Sequence, residues 1–157
     1  MFPLDHRGEF TRSKITIPNA EAFPVDFITR ATRALEAVNA RDVCVDRQRI
    51  SFTGGMFRFV LNWNILIQIG HGYVDLNETE DSFVVSYYAS FRQMFVIVSL
   101  LVLIFAIDLF VNDRMPLAGK LALLAFAWVV LFGGNWVIAM ARFPSFVNSM
   151  LWGGDRI

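Results

Sequence analysis

The stretch from Gln93 to Val111, QMFVIVSLLVLIFAIDLFV, decides the class of this protein. Nineteen residues hold a single charge, Asp108, and at 1.5 Å of rise per residue a helix from Gln93 to Asp113 spans about 30 Å, one hydrocarbon thickness. A second run, LALLAFAWVVLFGGNWVIAMA from Leu121 to Ala141, is equally long and carries no charge. Arg92 and Arg142 bracket the pair on one side. Asn112–Lys120, with Pro116 and Gly119, turns the chain on the other. Two such runs in succession, charged only near their ends, predict a transmembrane hairpin of helices over 93–112 and 118–141.

Outward from the hairpin the composition changes. Of 157 residues 55% are hydrophobic and 18% charged, and the deficit of charge is confined to the part after Arg92. Residues 1–92 read as a soluble α+β domain. Net charge is zero, so nothing in the balance points to nucleic acid. Residues 1–14 carry mixed charge with no apolar run behind them, unlike a signal or transit peptide.

Within 1–92, residues 24–39 predict one amphipathic helix. Val25, Ile28, Thr32, Leu35 and Val38 form its apolar stripe, Pro24 and Asp26 suit its first turn, and Asn39 its stop. Short alternating runs follow: Val43–Val45, Ile50–Thr53, Met56–Phe59, Trp63–Ile69, Tyr73–Leu76 and Phe83–Phe91, with an earlier strand at Lys14–Ile17. Short connections favour antiparallel neighbours, so the expected sheet is a meander with one helix against it. One helix covers part of a sheet, and the apolar N-terminal arm (Phe2, Leu4, Phe10) is a candidate for folding back on the rest. The last strand enters the first apolar helix with almost no linker, which holds the domain against the bilayer. Beyond Arg142, residues 142–157 are expected as an interfacial tail anchored by Trp152, the alternative being a segment packed on the soluble domain.

The candidate site residues lie in the hairpin. Asp108 is costly inside a membrane helix. Pairing with Lys120 to brace the hairpin is the favoured reading, with ion or proton movement as the alternative. Gly133, Gly134 and Asn135, with Ala118, Ala122 and Ala125, form a small-residue face for close helix packing, within the hairpin or against a partner, before a ligand site. Cys44, the sole cysteine, reads as a small buried hydrophobe. His71 reads as a turn residue without a ligand set, and Asp75, Glu78, Glu80 and Asp81 as solvated before calcium-binding. No catalytic, cofactor or metal residues are expected.

The lipid bilayer is the expected partner, with other membrane subunits or further copies of the chain. The favoured function is a membrane anchoring and interaction module, an accessory or assembly subunit. The alternatives are a subunit of a small homo-oligomeric channel or transporter, and a membrane-bound sensor or enzyme. The expected place is multi-pass in a plasma membrane, a bacterial inner membrane, with both termini cytoplasmic. The Arg and Lys bias toward the terminal side is slight.

Overall fold

The computed structural model describes residues 4–54, 69–111 and 116–152. The expected strands at 56–59 and 63–68 fall outside these residues. Among the described residues the chain is α+β. In order come β1 (Asp5–Ser13), a 3-10 turn (Lys14–Thr16), α1 (Phe23–Ala37), β2 (Arg41–Asp46), β3 (Arg49–Thr53), β4 (His71–Glu78), β5 (Ser82–Ser90), α2 (Arg92–Val111), α3 (Leu117–Trp128), a π segment (Val129–Gly134) and α4 (Asn135–Trp152).

The five strands form one antiparallel sheet, ordered β1-β5-β4-β3-β2. β2 to β5 form an antiparallel meander as expected, but β3 pairs directly with β4, where two further strands were expected between them. β1 stands at the opposite edge, on β5, and α1 crosses one face of the sheet to connect β1 with β2. The strand expected at Lys14–Ile17 is a 3-10 turn instead, and the true strand is Asp5–Ser13. Its core-facing set is His6, Gly8, Phe10 and Arg12, paired with Ala89, Tyr87, Val85 and Phe83. Two polar residues and a glycine hide the apolar alternation by which strands are recognised. Glycine is required at position 8 because the Tyr87 ring lies where a Cβ would stand.

Helix α1 keeps the expected limits within two residues. Pro24 and Asp26 sit in its first turn, and Asn39 stops it at φ 59°. The Asn39 amide bonds the Glu36 carbonyl and the Ala40 amide bonds that of Leu35, so the last carbonyls are met by a left-handed turn. The buried stripe differs from the expected one. It is Phe23, Phe27, Ala31 and Leu35, while Val25 is 68% exposed. Phe23 and Phe27 bury more surface than Val25 and Ile28 can, and they set the helix rotation.

α1 shares its face of the sheet with α4. Phe143, Phe146, Val147, Met150 and Leu151 are buried there, in one core with Phe27, Ile50, Val74, Phe83, Val85 and Tyr87. The Phe143 ring meets Tyr87 edge-on at 5.5 Å and Phe52 at 6.1 Å. The piece expected as an interfacial tail thus continues the second apolar helix onto the sheet, with Pro144 inside it. The single-face periodicity of those residues fits a sheet as well as a headgroup layer, and the incomplete cover left by α1 decides for the sheet. Cys44 also differs from its expected burial. β2 is an edge strand, and the residue is exposed on the uncovered side.

Among the described residues two helices are long and apolar enough to cross a membrane: Arg92–Val111 and the 36-residue run Leu117–Trp152. Only 11% and 6% of their most apolar windows are buried within the molecule.

Candidate functional site

The site is built where the sheet meets the apolar helices. Phe91 alone separates β5 from α2. Its amide bonds the Leu4 carbonyl at 2.9 Å, and its own carbonyl accepts from Phe95 to start the helix. Asp5, paired in register with Ser90, accepts from the Ser90 hydroxyl at 3.2 Å and from Arg92 at 2.9 Å. The side chain of Asp5 is 8% exposed and that of Arg92 56%. Burial on its own raises the Asp5 pKa, but hydrogen bonds from Arg92, Tyr88 and Ser90 and the Arg92 charge outweigh it and hold the carboxyl below its usual range. On the opposite, core-facing side of the sheet, the Tyr87 hydroxyl and His6 Nε2 are 3.2 Å apart. Burial pushes the His6 pKa down and that of Tyr87 up, so both are neutral at pH 7. The sheet is therefore fixed to α2 by a short backbone link and a charge-assisted clasp.

The hairpin is closed by aromatic contacts near the sheet. Phe95 of α2 meets Trp128 at 5.9 Å and Phe132 at 5.5 Å, both edge-on, and Trp128 Nε1 donates to Ser99 Oγ at 3.2 Å. At the far end Lys120 is 4% exposed, its ammonium 5.3 Å from the Phe110 ring. Asp108 lies on the same end of α2, on its outer surface. The two expected partners share that end of the hairpin, Lys120 buried and Asp108 exposed.

Gly133 and Gly134 end the π segment. A Cβ on Gly133 would meet only Val129, at 3.9 Å, and one on Gly134 would meet nothing within 4 Å. Ala118, Ala122 and Ala125 are exposed. Gly134 and the three alanines are exposed, outside the seam of the hairpin, and Gly133 is half-buried. Asn135 Nδ2 donates to the Leu131 carbonyl at 2.7 Å, meeting an acceptor in the widened turn.

Sequence reasoning expected an uncovered part of the sheet but did not name the residues that line it. There Arg7 lies over Tyr88 at 5.2 Å, Tyr88 stacks on Tyr73 at 5.2 Å, and Arg49 lies over Tyr73 at 4.6 Å. Arg49 also grips Asp75 with two bonds of 2.7 and 2.6 Å, which raise its pKa further. Asp75 and Glu78, the latter 2.7 Å from Lys14, are thus held by cations. The signal was available in the register: Arg7, Tyr88, Tyr73 and Ser51 occupy one row across four strands. His71 opens β4 instead of forming a turn, its ring 5.8 Å from Tyr88. Among the described residues no three His, Cys, Asp or Glu side chains gather to hold a metal.

No protein-family model, no curated protein and no solved structure matches this chain.

Proposed function

We propose that the helical hairpin crosses a lipid bilayer and that the chain is an anchoring and interaction module, an accessory or assembly subunit of a membrane complex. The observation that carries this reading is the outward apolar surface. Leu103, Ile104, Ile107, Phe126 and Val129 are each more than half exposed, on helices that bury little of themselves within the chain. Such a continuous surface is unfavourable in water and natural in lipid. Arg92 and Arg142 stand where the hairpin reaches the sheet, as residues at headgroup depth do. Both ends of the hairpin then share one side, and the slight Arg and Lys excess there makes that side cytoplasmic.

The interaction role is supported by the outward small-residue face around Gly134, which admits the backbone of another helix. The stitched junction supports it too, because a helix docked in the bilayer orients the sheet rigidly. The test is native mass spectrometry of the chain extracted from its own membranes in mild detergent. Bound membrane subunits, lost in Gly134→Leu while the sheet stays folded, are the expected result. A lone chain in both samples contradicts the reading, and a closed homo-oligomer transfers the case to a pore built from several copies.

A further inference from the structure

A cleft of about 300 Å³ opens between the end of β1, the start of α1 and the last turn of α4. Arg12, Arg30, Asp26, Asn19, Phe23 and Trp152 line it. Two guanidinium groups flank one ring there, Arg12 at 5.7 Å and Arg30 at 5.6 Å from the Phe23 centroid, and Arg12 also lies 4.6 Å from Trp152. Arg12 Nη1 donates to the Leu151 carbonyl at 2.7 Å, but its buried Nε has no hydrogen-bond partner among the described residues. A buried donor left unmet costs stability. Arg30 donates only to the backbone of its own helix, at Asp26. Among the described residues neither arginine forms an ion pair, so two positive charges face one carboxylate. α1 opens at the cleft without a side-chain cap, which adds the positive end of its dipole.

We propose that this cleft binds a small soluble phosphate-bearing molecule. Two guanidinium forks suit the several oxygens of a phosphate dianion. A lipid headgroup is the wrong source. Arg12 lies seven residue steps along the strand from Asp5, the residue clasped to the start of α2. At the usual rise this is about 24 Å along the strand, and Trp152 stands ten helical residues, about 15 Å, beyond Arg142. The cleft belongs to the sheet domain and stands whether or not the hairpin is in lipid. Occupancy acts on the end of α4, because Arg12 holds Leu151 and Trp152.

The test is calorimetric titration of the full chain, in nanodiscs of phosphatidylcholine, with inorganic phosphate and with glycerol 3-phosphate at fixed ionic strength. Saturable binding is expected. Arg30→Gln, whose side chain holds no other element, weakens it about tenfold. Asp26→Asn tightens it about threefold by removing the one repelling charge. Arg12→Gln abolishes it, with circular dichroism checking that the sheet is intact. No saturable binding by the unaltered chain, or equal binding by Arg30→Gln, overturns the proposal. So does loss of binding when phosphatidylglycerol is added to the nanodiscs, because the site would then be a headgroup site.

Discussion

Two residues at the sheet junction carry the pH dependence of stability. The pKa of His6 is lower in the folded chain than in the unfolded one. The unfolded chain therefore takes up a proton first as pH falls below about 6.5, and the stability of the neutral His6–Tyr87 pair is full above that value and lost below it. Asp5 is lowered as well, so its clasp to Arg92 and Ser90 is full above about pH 4 and lost as pH falls through the folded value. Thermal melts between pH 8 and 2.5 should show two declines. His6→Gln should remove the upper one and Asp5→Asn the lower. Asp5→Asn should cost about 1 kcal/mol at pH 7, the small figure reflecting the half-exposed Arg92. Gly72 tests packing at the same scale. Its Cβ would stand 2.6 Å from both Phe52 Cζ and the Tyr88 carbonyl oxygen, so Gly72→Ala should cost about 1–3 kcal/mol in a denaturant melt.

At the scale of elements, legibility followed periodicity. α2, α3 and the limits of α1 were readable because a long apolar run, a proline at the start and an asparagine at the stop are local chemistry. β1 was not, because its inward residues are His6, Gly8, Phe10 and Arg12, which make sense only beside Tyr87 and Phe83. The π segment was also invisible, since its widened turn shows only in the backbone, where Asn135 meets the Leu131 carbonyl. Asn135 was flagged for bonding across helices, and its Nδ2 bonds the Leu131 carbonyl of its own helix. Asn135→Ala should cost about 1 kcal/mol of hairpin stability, measured by steric trapping in bicelles, because the carbonyl loses its donor where water is scarce. Gly134→Ala, with open space around it, should change that stability by less than about 0.5 kcal/mol.

At the scale of the molecule, one continuous helix of 36 residues, about 54 Å, joins the far end of the hairpin to the far end of the sheet. With the clasp between β5 and α2 it gives the sheet two stiff connections to the hairpin. The sequence divides the chain at Arg142, since apolarity stops there, yet Phe143 beyond it is fully buried against Tyr87 and Phe52. Phe143→Ala should therefore destabilise the sheet itself, by about 3–5 kcal/mol, seen as earlier loss of strand signal in circular dichroism. The candidate site was legible in its element and not in its facing: Asp108, Lys120, Gly133, Gly134 and Asn135 all lie in the hairpin helices, but which of them face inward depends on helix rotation, which the sequence leaves open. The most direct measurement of the account is spin-label accessibility in reconstituted vesicles, comparing a label at Ile104→Cys in a Cys44→Ser background with one at Cys44. The account predicts high oxygen and low nickel-chelate access at position 104, and the reverse at Cys44. Equal nickel-chelate access at the two positions would contradict it.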